Sequence, residues 1–198
     1  MRFPFVLTGL IGLSGLALTG CMTIRSTDPA RTATEQLLIS TAADHAAESL
    51  VLNIPKGNHV FVDATNFEGY DSKYAIGAIR DHVLQQGLLL VNDKGAADTI
   101  VEIRAGALSV DDRSLLVGIP QINLPLPLTG STLPIPEIAL FKRVTQQGVA
   151  KFAATAYDAK KGTFISSSKP LPSSSFDKKT TLLFLITWSN DNLNRPDN

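Results

Sequence analysis

Between Leu115 and Pro136 the chain runs 22 residues without a charged side chain, and five of those residues are proline: Pro120, Pro125, Pro127, Pro134 and Pro136. The stretch is long and apolar enough to suggest a membrane-spanning helix. Five prolines argue against it, because each removes an amide donor and clashes with the preceding helical turn. An extended or polyproline-like apolar loop is therefore the expectation. Its apolar side chains, Leu115, Leu116, Ile119, Ile122, Leu124, Leu126, Leu128, Leu133 and Ile135, form a candidate interaction loop. Two uses are open to it. It can fold back and complete the core, or it can meet a protein partner or lipid, since large exposed apolar patches mark interaction sites.

The segments around this loop carry clear periodicities. Thr32-Ala33-Thr34-Glu35 has the spacing of a capping box, which satisfies the first free amides of a helix. From there to about Leu52, Leu38, Ile39, Ala42, Ala43, Ala46 and Leu50 fall on one side, and Pro55-Lys56-Gly57-Asn58 ends the element as a turn. His59–Thr65 reads as a strand. Ser72–Gln86 reads as a second helix, with Ile76, Ile79 and Val83 on one face and Gly87 as its C-terminal cap. Strands are predicted over Leu88–Val91 and Thr99–Leu108, and a hairpin over Gly148–Tyr157 and Thr163–Ser167. A Ser/Pro-rich connection, Ser166–Ser175, then leads to an apolar run, Leu182–Trp188, expected as an interface strand or as an internal strand or helix covering the sheet. Ser189–Asn198 is polar and expected to fray. Helices come early and later strands follow one another directly. The expected class is α+β: an antiparallel or mixed sheet, two amphipathic helices on one face and the proline-rich loop. One domain is expected over residues 32–188.

The first 20 residues read as a targeting segment. Arg2 precedes an apolar run, Phe3–Leu18, which leads into Leu18-Thr19-Gly20-Cys21. A spanning helix competes with this reading. Pro4, the glycines at 9, 12, 15 and 20, and the lack of a basic stop signal weigh against it. Small residues before a cysteine resemble the lipobox read by lipoprotein-processing enzymes. The resemblance implies cleavage between Gly20 and Cys21 and acylation of Cys21, followed by a tether over residues 21–31. Cysteine usage agrees: the chain holds one cysteine, which cannot form an internal disulfide, and a free thiol is a liability in an oxidising compartment. Two or more acyl chains anchor a protein stably. Met22 in place of aspartate implies, by the same resemblance, the periplasmic leaflet of the outer membrane. The expected partners are thus the membrane, through the N-terminal acyl groups, and an envelope protein, with oligomerisation left open.

Without Arg2 the chain carries 17 basic and 18 acidic residues with no basic stripe, which gives nucleic-acid binding no electrostatic support. The phrases TATEQLLISTAADHA, LVGIP and PEIALFKRVTQQGVAKFAATAYDAKKG resemble a family of proteobacterial lipoproteins defined as a domain of unknown function. A looser likeness, in topology alone, is to periplasmic lipoproteins such as the curli secretion channel subunit.

Reactive constellations are scarce. His45 and Glu48 are three apart on the first helix with Asp44 beside them, at most half a metal site. His59 and His82 read as surface or capping residues. No G-x-S-x-G occurs in the mature chain, and no phosphate-cradling glycine motif is present. Asp63, Asp111 and Asp112 read as turn and strand-end residues. No catalytic residue, metal or cofactor is assigned. The leading expectation is a non-enzymatic envelope lipoprotein with a structural, assembly or partner-binding role. The alternatives are an oligomeric secretion or pore subunit of the curli-channel kind, and an envelope hydrolase built from scattered Asp, Ser and His in a common cleft.

Overall fold

Thr32 and Glu35 close the capping box: the Thr32 hydroxyl accepts the Glu35 amide at 3.2 Å and the Glu35 carboxylate accepts the Thr32 amide at 2.7 Å. They start α1, Ala33–Glu48, in a computed structural model that describes residues 31–126 and 130–193. Its buried side is Leu38, Ile39, Ala42, Ala43, Ala46 and Ala47, the predicted stripe. Alanines there bring the helix close to what it covers. Strand β1 (His59–Asp63), helix α2 (Ser72–Gln85) and strand β2 (Leu89–Leu90) form a right-sized crossover in which β2 lies parallel to β1. Gly87 ends α2 at φ +83°, as its place in the sequence predicts.

Beyond Thr99 the chain is sheet. β3 (Thr99–Ile119) pairs parallel with β1 and antiparallel with β6 (Ile138–Asp158), each of the two being 21 residues long. Between them β4 (Ile122–Pro125) and β5 (Thr132–Ile135) form a separate two-stranded hairpin. β7 (Phe164–Ser167) and β8 (Pro172–Leu182) share one edge of β6, and β9 (Ile186–Asp191) pairs with β8. The order is β2-β1-β3-β6-β8-β9, parallel where β1 meets its neighbours and antiparallel elsewhere. The class is α+β, dominated by the sheet. Buried residues of both helices join Val60, Val101, Ile103, Phe152 and Ala154 in one core.

Four expectations are corrected. Leu115–Pro136 is not an extended loop: Leu115–Ile119 are the end of β3, and most of the rest is the β4–β5 hairpin. Prolines are tolerated there because a two-stranded ribbon has outward-facing amide positions that need no donor. The Ser/Pro connection is shorter, since Pro172–Ser175 already belong to β8. Leu182–Trp188 does not cover the sheet; Leu182 ends β8, residues 183–185 turn, and Ile186–Trp188 begin β9. Ser189–Asp191 are paired in β9 rather than frayed.

Acid sensitivity is concentrated where β1, β3 and β6 end together. Asp98 accepts His59 Nδ1 at 3.0 Å and the His59 amide at 3.3 Å. Asp158 accepts the amides of Lys161 and Lys160 at 2.7 and 2.9 Å. These hydrogen bonds hold both carboxyls below the usual carboxylate range. A depressed folded-state pKa contributes stability above the unfolded value and loses it as pH falls through the folded one. The melting temperature is therefore expected to fall once pH drops below about 4. Asp158→Asn should flatten that fall, as read by thermal unfolding across pH.

Candidate functional site

Strands β3, β6, β8 and β9 continue past the helices as a four-stranded arm. Helix α1 ends its cover at the row Val110–Gly148–Ser175: the Ser175 hydroxyl donates to the Leu38 carbonyl at 2.6 Å, and Gly148 lies directly beneath that carbonyl. Paired residues in antiparallel strands point to the same side, so the register assigns every row to a face.

On the helix-covered side the body rows are apolar: Val101–Ala156, Ile103–Ala154, Ala105–Phe152 and Leu108–Ala150. Past the helix the same side becomes polar, with Asp112–Gln146–Asp177–Asp191, then Ser114–Val144–Lys179–Ser189, then Leu116–Lys142–Thr181–Thr187. The opposite side does the reverse. Glu102–Thr155 and Arg104–Ala153 lie on it in the body. Arg113–Thr145–Lys178–Asn190 follows in the arm. Leu115–Arg143–Thr180–Trp188 and Val117–Phe141–Leu182–Ile186 then lead to Ile119–Ile138 at the end. The apolar face of one continuous sheet changes sides where its helix stops. Neither described helix packs on that end of the sheet, so helix packing does not account for the apolar face there.

The arm's end is also where exposed apolar surface gathers. Of 23 large apolar side chains exposed among the described residues, 15 lie within residues 115–140 and 182–188. The candidate interaction residues fall there. Leu115 and Ile119 are exposed on the switched face, and Leu116 is half-buried on the polar one. Ile122 and Leu124 pair with Ile135 and Leu133 on one side of the β4–β5 hairpin, and Leu126 follows them; of these, only Ile135 is half-buried. Leu128, Gly20 and Cys21 lie outside the described residues. Sequence reasoning missed Val117, Phe141, Ile138 and Leu140. It placed the run from Leu182 to Trp188 elsewhere. Its turn holds Leu183 and Phe184 at φ +48°, with Leu185 76% exposed. Bulky residues in that backbone region cost about 1–3 kcal/mol each, an unusual expense at an exposed tip.

A second feature is a groove of about 480 Å³ between α1 and α2, lined in part by Ser40, Asp44, His45, Glu48, Asp81 and His82. The common cleft that a hydrolase needs is thus present. Several of its polar groups are engaged otherwise, although His82 Nδ1 is buried without a hydrogen-bond partner. Ser40 donates to the Leu37 carbonyl at 3.1 Å, Tyr74 donates to Asp44 at 3.0 Å, and His82 Nε2 meets the Leu50 carbonyl at 3.1 Å. Burial pushes the Asp44 carboxyl up, partly offset by the Tyr74 hydroxyl. No hydrogen bond joins a serine hydroxyl to a histidine ring among the described residues, and no three potential ligands there converge on a metal position.

The sequence matches the family of unknown function DUF6655 over residues 15–178. The chain belongs to this family. The family match takes in the Leu18–Cys21 segment, both helices, the β3–β6 ribbon and the first part of β8. No curated protein matches the chain.

Proposed function

We propose that this DUF6655 chain is a membrane-anchored envelope lipoprotein, held through Cys21 after cleavage between Gly20 and Cys21. It works by binding rather than by catalysis, with the apolar end of its β-arm as the working surface. The change of apolar side along the β3–β6–β8–β9 sheet carries this reading, because it builds an apolar face beyond the reach of both described helices. The tether and the periplasmic leaflet of the outer membrane follow from the lipobox-like segment and Met22. Photo-crosslinkers placed in living cells at Val117 and Leu124 should trap a specific envelope component. One at Leu84, exposed on α2, should not. Equal labelling at all three positions would remove the arm from this role.

A second reading, an oligomeric secretion or pore subunit, is favoured by one observation. The arm has four antiparallel strands, and among the described residues no further strand pairs with the outer edges of β3 and β9 there. Copies joined edge to edge continue the antiparallel alternation, and closure removes free edges. A detergent-solubilised sample that sediments only as a monomer would eliminate it.

A further inference from the structure

We infer that the occupant of the switched apolar face is the lipid bilayer itself, into whose interface the arm's end dips. This rests on the anchored reading above and adds what the arm touches. Three observations favour lipid over a protein.

The first is the layering of the face. Two rows, Leu115–Thr180–Trp188 with Arg143, and Val117–Phe141–Leu182–Ile186, are bounded above by Arg113 and Lys178. Apolar side chains, then an indole, then cations is the order in which a bilayer presents hydrocarbon, interface and anionic headgroups. Arg143 lies 5.3 Å above the Phe141 ring and Lys178 5.8 Å from the Phe176 ring. None of the three cations forms an ion pair among the described residues. The acidic residues Asp112, Asp177 and Asp191 sit on the other side of the sheet, while Asp111, on this side, lies in the row beyond Arg113, farther from the arm's end.

The second is depth. From Leu115 to Ile119 the strand advances about 14 Å, roughly the half-thickness of a bilayer's hydrocarbon core and far short of the 9–11 residues a spanning strand needs. The open edges of β3 and β9 also keep a single copy shallow, since unpaired amides are not tolerated deep in hydrocarbon.

The third is the direction of the tether. Leu38 of α1 lies over Gly148, whereas Asn53, beyond the helix, bonds Ser166 beside Ala156. The helix therefore starts at the arm's side of the body and runs away from it. The ten residues from Arg31 back to Cys21 reach at most about 35 Å, close to the roughly 31 Å of strand from Val110 to Ile119. An anchor at Cys21 and the arm's end can share one membrane.

The chain's single tryptophan is Trp188, so its emission reports this face alone. The acylated chain is reconstituted into vesicles of phosphatidylethanolamine and phosphatidylglycerol, with brominated or ordinary acyl chains, and floated on a density gradient. The expected result is co-flotation with at least a twofold quenching of Trp188 by the brominated lipid. Val117→Asp with Ile186→Asp should abolish that quenching while flotation persists, and so should Leu185→Glu at the solvent-exposed turn, with circular dichroism reporting the fold. Arg143→Gln with Lys178→Gln should weaken quenching only where phosphatidylglycerol is present. Flotation with no quenching would overturn the inference and leave the anchor standing. A blue-shifted but unquenched Trp188 would do the same by placing a protein, or a second copy, on the face. A chain that fails to float would overturn both readings.

Discussion

Replacing Cys21 by serine is expected to abolish incorporation of a palmitate analogue entirely, and to leave the precursor at its unprocessed mass. Serine differs from cysteine by one atom and keeps the local sequence, so a loss of this size isolates the thiol as the acceptor. Each buried methylene contributes about 0.8 kcal/mol, which is why one acyl chain holds a protein reversibly and two hold it stably. The competing reading of Phe3–Leu18 as an uncleaved anchor makes the opposite prediction. In that case neither the native chain nor Cys21→Ser carries label, and both remain in the membrane fraction. Gel mobility, metabolic labelling and fractionation together separate the two. Gly20→Arg supplies the complementary case, because it leaves the thiol in place and disturbs only the small residue before it.

How much of this molecule could be read from its sequence differs from element to element, for physical reasons. Helix α1 was legible because its start is written in local hydrogen bonds, Thr32 with Glu35, and its buried side in a run of alanines. The arm was not. Along β3, Leu108 and Val110 face the helix at even positions, whereas Leu115, Val117 and Ile119 lie on the other face at odd ones. A period-two reading breaks at Asp111–Ser114, where the face changes, and the polar stretch passes for the end of the strand. That parity shift, met again from Ala150 to Phe141 in β6, was the signal that could have shown the arm. The β8–β9 turn left none. It contains no glycine, proline or asparagine, and Leu183 and Phe184 adopt left-handed backbone that local preference disfavours. Tertiary context alone specifies it. Ser175 reads as a connecting residue because its small side chain is polar, yet it is fully buried and bonded to Leu38.

Gly148 is where body and arm are joined, and its replacement is expected to be strongly damaging. A methyl added there would collide with the Leu38 carbonyl oxygen and the Ser175 hydroxyl. Neither can retreat freely, since one belongs to the backbone of α1 and the other is buried at 0% exposure. Gly148→Ala should destabilise by about 1–3 kcal/mol, the usual range for overpacking, and lower the melting temperature by about 2–4 °C for each of those kilocalories. Gly148→Val, adding two more carbons to the same space, should consume much of a typical domain's 5–15 kcal/mol and yield little folded protein. Gly77 gives the opposite sign. It lies exposed in the middle of α2 with nothing within 4 Å of an added Cβ, so Gly77→Ala should stabilise by about 0.5–1 kcal/mol. The pair distinguishes tight contact from the general cost of replacing glycine. If Gly148→Ala lowers stability yet leaves Trp188 quenching by brominated lipid unchanged, the arm holds its face without help from the helix. If quenching falls with stability, the close approach of α1 at this row sets the arm's direction as well as the body's packing.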